Sequence, residues 1–410
     1  MFSYFIQYNR FMGFFGIIAI LGVAFLFSKN KRKIKLRLIG SALAMQFALA
    51  FFILKTSLGR HIFSALSRMF QRLYQFADQG SEFLFGKLID PSGSWGAIFA
   101  LKLVPMIIFF AALISVLFHL GIIQFCVKII SFLIRPILGT SGAETLCAAS
   151  NSMLGQTEAP FLIKRYLQKM TPSEILVVMV SGMATLSGSI MAVYGMMGIP
   201  MTYLLSAGVM AVPGSILIAK ILYPEDGKPE TLGGKQVALK SDSKSILDAI
   251  SSGTTDGLKL AVNVAAMLIA FISLIALADF ILGRLTGYTF GVTYTLNAVF
   301  AKLFSWVAFL LGVAKEDYAN AGSLIGTKLV INEFVAYANS LTMELTVRSR
   351  AILTYVLAGF ANFSSIGIQI GGIGALVPEK RPVLVKLGLY ALLGGTLANL
   401  LNAAIAGLFI

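Results

Sequence analysis

Apolar runs close to 20 residues long recur along the chain, separated by short polar loops. A helix of about 20 apolar residues crosses the roughly 30 Å hydrocarbon core of a bilayer. The pattern therefore predicts spans at about Phe11 to Phe27, Leu38 to Leu54, Trp95 to Leu120, Thr171 to Met197, Pro200 to Leu222, Leu260 to Leu282 and Ala351 to Ile370, with a last span ending at Ile410. Strands of a membrane barrel alternate polar and apolar residues over segments of about 10, and nothing here has that period. The expected class is an all-α polytopic membrane protein with eight transmembrane helices.

Two stretches break the pattern in the same way. Gly139 to Ser189 contains Asn151-Ser-Met-Leu-Gly-Gln-Thr-Glu-Ala-Pro160, too polar and too broken to cross as a plain helix. Gly322 to Gly372 contains Thr327-Lys-Leu-Val-Ile-Asn-Glu-Phe-Val-Ala-Tyr337 and then Phe360-Ala-Asn-Phe-Ser-Ser-Ile-Gly367. Each stretch holds one acid, Glu158 or Glu333, and about 30 residues later a small polar break inside an apolar helix, at Thr185 to Ser189 and at Asn362 to Gly367. Irregular backbone at membrane depth survives only where it is buried in protein or lines a cavity. Gly139 to Leu167 and Asp317 to Met343 are thus read as re-entrant helical hairpins. Matched interruptions in two halves point to a site near the bilayer midplane.

Other segments are less regular. Residues 58–90 interleave Phe63, Leu66, Phe70, Leu73 and Phe76 with Arg60, Arg68, Arg72 and Asp78 at helical spacing. That suits an amphipathic helix lying in the interface, or one packed on its own protein or a neighbouring subunit. Ile122 to Leu138 reads as a short helix at the cytoplasmic surface, and Ser243 to Lys259 as a surface helix ahead of span 6. Residues 284–318 are apolar with scattered polar positions and form an interfacial segment or an arm leading to the second hairpin.

Composition fits this picture. Of 410 residues, 57% are hydrophobic and 12% charged, and the mean hydropathy is +0.85; a soluble domain carries about 25% charged residues. The net charge of +15 carries information mainly through which loops hold it. The run Lys29 to Arg37, the loop Tyr223 to Ser252 with Lys228, Lys235, Lys240 and Lys244, and Glu379-Lys-Arg-Pro382 mark the cytoplasmic side. Both termini then lie outside, no cleavable signal peptide is evident, and the two hairpins enter from opposite sides, as an inverted repeat requires. Basic residues beside spans do not describe a nucleic-acid surface. Cys126 and Cys147 match no metal spacing, and His61 and His119 are isolated.

A carboxylate in a bilayer is costly, so Glu158 and Glu333 are expected to face a cavity; capping a half-helix N-terminus is the structural alternative. Asn362, Ser364 and Ser365 lie on the span 7 break, whose unwound backbone exposes carbonyls. Asn151, Thr185 and Ser187 could offer hard oxygens to a small cation, or could be polar glue between helices. No nucleophile–His–acid set and no nucleotide-hydrolysis motif is present, so transport would draw on an ion gradient. A pore, or a membrane enzyme using the two acids as acid and base, are the competing classes.

At Gly155-Gln-Thr-Glu-Ala-Pro160, Asn332-Glu-Phe-Val-Ala-Tyr337 and Gly359-Phe-Ala-Asn-Phe-Ser-Ser-Ile-Gly367 the sequence resembles the concentrative nucleoside transporter family, in block order and spacing, over essentially the whole chain. It lacks the extra N-terminal spans of animal members and looks bacterial. The resemblance implies a homotrimer in the inner membrane, interfacial helices, and elevator-type import of nucleosides such as uridine; no enzyme activity is implied. Residues 1–120 and 199–316 would be scaffold, 121–198 and 317–372 the transport domain, and 373–410 span 8. Gln156, Thr157 and Glu158 would contact the nucleobase and Ile190 would pack on it. Glu333, Asn362 and Ser365 would hold the ribose hydroxyls, with Phe360 as an apolar wall. The coupling sodium would take the side chains of Asn151 and Thr185 and the carbonyls of Leu154 and Leu186; some bacterial members use protons instead.

Overall fold

The computed structural model describes residues 9–89, 98–232, 243–290 and 293–410. The expected start of span 3 at Trp95, loop residues Lys235 and Lys240, and the first eight residues lie outside this set. Among the described residues all regular structure is helical. Span 1 is α1 (Met12–Leu26) and span 2 is α2 (Leu36–Lys55). The amphipathic segment is one helix, α3 (Ser57–Phe85), started by the Thr56 hydroxyl, which accepts from Gly59 N at 3.0 Å. Span 3 is α4 (Phe99–His119), and the next apolar segment is α5 (Ile122–Leu138).

The first hairpin is α6 (Gly142–Asn151), a tip, and the short returning turns α7 (Glu158–Leu162) and α8 (Lys164–Leu167). Ser141 and Glu144 form a capping box at its start, and Ser141 Oγ donates to Glu174 Oε1 at 2.5 Å. Lys220 Nζ meets Glu144 Oε2 at 2.7 Å and Glu225 Oε2 at 3.2 Å, so a buried ion cluster ties the hairpin base to spans 4 and 5. Span 4 begins at the expected Thr171, its N-cap, as α9 (Pro172–Ala184) and resumes as α10 (Gly188–Met196). Span 5 is α11 (Met201–Leu222).

The expected division between a surface helix at Ser243 to Lys259 and span 6 is not present. A single 45-residue helix, α12 (Ile246–Phe290), runs through both. The stretch read as a surface helix packs tightly on α4 instead: a Cβ at Gly253 or Gly257 would lie 2.8 Å from the Cα of Ala112 or Ile108. Close backbone approach to α4, not flexibility, explains those glycines.

The uncertain segment before the second hairpin forms α13 (Leu296–Leu310). It lies against the hairpin's first half, α14 (Tyr318–Val330), where Gly322 and Gly326 leave room for Ala301 and Phe300. The second half is α15 (Glu333–Thr342). Span 7 is α16 (Val347–Leu357) and α17 (Phe363–Leu376), and span 8 is α18 (Arg381–Phe409). Among the described residues, six segments are long and apolar enough to cross a membrane, span 4 counted through its break; α1 is shorter, and span 7 is split in two. Cys147 is buried as packing, whereas Cys126 is only partly covered.

The core lies where spans 4, 5, 7 and 8 cross. The two broken helices touch at their breaks, where Phe360 N donates to Thr185 O at 3.4 Å. Asn399, from span 8, donates its amide to Ala184 O at 2.8 Å and to Ala358 O at 3.0 Å, satisfying one freed carbonyl from each break. Gly359 makes the crossing possible: a Cβ there would lie 2.5 Å from Asn399 Oδ1 and 2.7 Å from Met183 O.

Candidate functional site

Each break is also a helix start. Ser187, Asn332 and Asn362 are extended residues whose side-chain oxygens accept from the backbone N–H three residues on, at 3.4, 2.9 and 3.0 Å. These are N-caps of α10, α15 and α17. With the start of α7 at Glu158, four half-helix N-termini converge on one cavity of about 350 Å³. The positive ends of their dipoles favour carboxylates there. The structural alternative for the two acids and the functional one therefore coincide: Glu158 and Glu333 are the first residues of half-helices and also line the cavity.

All eight expected substrate residues line it: Gln156, Thr157, Glu158, Ile190, Glu333, Phe360, Asn362 and Ser365. They come from both hairpins and both broken spans. Glu333 is buried apart from this face, and its carboxylate is oriented by two donors. Tyr194 Oη donates to Oε1 at 3.0 Å, and Asn362 Nδ2 to Oε2 at 3.1 Å. An ionised carboxylate offers about four acceptor positions, so capacity remains toward the cavity. Glu158 is exposed to the cavity, and its Oε2 accepts from Gly155 N at 3.1 Å.

Gln156 is held from behind. Gln369 Nε2 donates to Gln156 Oε1 at 3.0 Å and to Met179 O at 2.9 Å. The backbone carbonyl fixes which way the Gln369 amide points, and that fixes Gln156 in turn, leaving its Nε2 toward Ser365 Oγ at 3.4 Å. Sequence reasoning missed Tyr194 and Gln369. Each lies on an otherwise apolar helical face, and no local signal separates them from core residues. The opposite wall of the cavity is α12, through Leu260, Asn263, Val264 and Leu268. A second cavity of about 560 Å³ adjoins the first, sharing Thr157, Glu158, Ser187, Leu260 and Asn263, and continues past Asp256 and Lys259.

The four expected cation ligands lie behind the tip of hairpin 1. Asn151 Nδ2 donates to Ser181 Oγ at 3.0 Å, and Thr185 Oγ1 donates to Ser181 O at 2.8 Å, so one turn of span 4 gathers both. Gly188 N donates to Met153 O at 2.9 Å, drawing the tip, with buried Leu154, against the break that carries Leu186. Asn151 Oδ1 is buried without a hydrogen-bond partner. An orphaned neutral oxygen beside unwound backbone suits a hard monovalent cation.

Crossed broken helices around a polar, two-carboxylate cavity define a membrane carrier, and comparison with known proteins says which. The description "Na+ dependent nucleoside transporter" matches residues 15–88 (N-terminus) and 203–407 (C-terminus), and "Nucleoside recognition" matches residues 100–201. The chain belongs to this family of nucleoside transporters and is not an enzyme. It is 42% identical to an "Uncharacterized transporter" of Haemophilus influenzae, over 96% of each chain. It is 39% identical to "Nucleoside permease NupC" of Helicobacter pylori, again over 96% of each. The solved structure of CNTnw in an inward-facing substrate-bound state is 37% identical over 97% of both chains, with a TM-score of 0.91.

Proposed function

We propose that this protein is a symporter that imports nucleosides across a bacterial inner membrane, driven by a sodium gradient. The observation that carries the reading is the Glu333 carboxylate, buried and pinned by Tyr194 and Asn362 with its free face on a cavity of about 350 Å³. Such a volume suits a small ligand. A ribose diol donates two hydrogen bonds that an oriented carboxylate accepts strongly. The Gln156 amide, with Thr157 and Glu158, offers mixed donors and acceptors to a base edge.

Sodium is the coupling ion in this reading. Asn151 Oδ1, Thr185 Oγ1 and the carbonyls of Leu154 and Leu186 would hold it as co-substrate, and the family description and the orphaned Asn151 oxygen support that choice. The hairpins are re-entrant and enter from opposite sides, both termini lie outside, and residues 121–198 and 317–372 move as an elevator against the scaffold residues 1–120 and 199–316. In favour of this split, the cavity has one wall on α12 and the rest on the hairpins and broken spans. The adjoining cavity runs along α12 from Asn263 back to Gly253, toward the loop assigned to the cytoplasm, and serves as the release route in this reading. The apolar face of α12 is largely uncovered within one copy, with Ile269, Ile272, Leu274, Leu277 and Phe280 exposed, and a homotrimer surrounded by lipid would cover it.

The test is labelled-uridine uptake into proteoliposomes at fixed pH, with sodium or choline outside and unlabelled nucleosides as competitors. Saturable uptake that collapses in choline is expected. Uptake following only a proton gradient would replace sodium by protons as the coupling ion. Conductance without accumulation would favour a pore and refute the symport reading.

A further inference from the structure

The second repeat contains a charge that substrate binding does not use. Lys328, in the first half of hairpin 2, is 4% exposed. Its ammonium donates to Val356 O at 2.6 Å and to Asn399 Oδ1 at 2.6 Å. Val356 belongs to the last turn of α16, just ahead of the span 7 break. The C-terminal end of a helix is the negative end of its dipole, where a cation is favoured.

The first repeat has the same arrangement without the ammonium. There the first half of hairpin 1 ends in Asn151, which donates to Ser181 in the last turn of α9, and Thr185 just past that turn donates back to Ser181 O. Asn399 bridges the two places, since its amide nitrogen satisfies Ala184 O of span 4 and Ala358 O of span 7 while its oxygen takes Lys328. Each repeat thus pairs a hairpin half-helix with the carbonyl end of a broken span, and each has one carboxylate at its hairpin tip. Lys328 stands five residues ahead of Glu333 in hairpin 2, whereas no basic residue occurs from Gly142 to Glu158 in hairpin 1.

We propose that Lys328 is a tethered cation: at the span 7 break it fills the role that the transported cation takes at the span 4 break. The proposal rests on the sodium-symport reading. With Lys328 in place, the buried Glu333 has a counter-charge within its own hairpin and needs no ion for it. The first half of hairpin 1 carries no such lysine ahead of Glu158, so its tip gains a counter-charge when an ion binds, and an uncompensated charge is costly to carry through low dielectric. Movement of the loaded carrier then requires one free cation.

The test uses the full-length protein in proteoliposomes and the variants Lys328→Ala and Lys328→Arg. Nucleoside uptake is measured against sodium concentration at fixed pH and clamped potential. Wild type and Lys328→Arg are expected to be first order in sodium, and Lys328→Ala second order with a higher half-saturation. A Lys328→Ala protein that is slower but still first order would make the lysine merely structural and overturn the proposal. Thermal melting in detergent, in sodium against choline, supplies a second readout. Sodium should stabilise Lys328→Ala, or Lys328→Thr if the alanine variant does not fold, more than it stabilises wild type; equal increments would overturn the proposal. If wild-type uptake ignores sodium, the coupling reading fails on that result alone, while the melting comparison still decides the role of Lys328.

Discussion

Replacing Glu333 by glutamine tests the site at its most constrained point. The carboxylate accepts from Tyr194 Oη at 3.0 Å and from Asn362 Nδ2 at 3.1 Å. An amide can satisfy only one of these as an acceptor. If its oxygen keeps Asn362, its nitrogen faces the Tyr194 hydroxyl, which must then turn its proton elsewhere in a buried setting. The larger loss is toward the ribose. Hydrogen bonds to a charged group are worth about 1.5–3 kcal/mol and neutral ones about 0.5–1.5, so each of two diol contacts loses roughly 1–1.5 kcal/mol. At 1.4 kcal/mol per decade, the total of roughly 2–3 kcal/mol weakens uridine about 30- to 150-fold. Equilibrium binding to purified Glu333→Gln and uptake in proteoliposomes should both show this, with uptake abolished at micromolar uridine. A 2′,3′-dideoxynucleoside is the control: lacking the diol, it should bind wild type and variant alike, because the coupling between ligand hydroxyls and carboxylate is what the cycle isolates. Uridine affinity within threefold of wild type, or equal losses for the dideoxynucleoside, would refute the assignment of Glu333 to the ribose.

Other perturbations reach separate parts of the structure. Asn151→Ala removes the orphaned buried oxygen and should raise the sodium half-saturation of uptake roughly tenfold, about 1.4 kcal/mol, with little change at saturating sodium; an unchanged half-saturation would exclude Asn151 as a ligand. Gly359→Ala places a Cβ 2.5 Å from Asn399 Oδ1 and 2.7 Å from Met183 O. Overpacking of this kind costs about 1–3 kcal/mol, so a lower melting temperature together with reduced uptake is expected, and a wild-type melt would show that the crossing can relax.

Several features are legible in sequence because they are local. The spans follow from runs of apolar residues, and the start of span 4 from Thr171 and Glu174, which do form a capping box. The breaks follow from Ser187, Asn332 and Asn362, residue types that compete for backbone hydrogen bonds and so start helices. Misreadings arose where one local signal has two physical meanings. The polar character of residues 243–259 reads as a surface helix, but Gly253 and Gly257 pack closely on α4, and only the neighbouring helix distinguishes the two cases. Residues 284–318 gave no clear pattern because what orders α13 is hairpin 2.

By itself, the sequence determined that the chain is a bundle of apolar helices with two matched, interrupted units, each carrying one acid, and its motifs carried the family likeness. Tertiary structure alone decided that four half-helix starts meet at one cavity, that Tyr194 and Gln369 orient Glu333 and Gln156, and that Lys328 and Asn399 close the crossing of the breaks. The reason is range: caps and hydropathy act within a few residues, whereas these contacts join positions as far as 215 residues apart, where only the packed arrangement of the helices determines which polar groups meet.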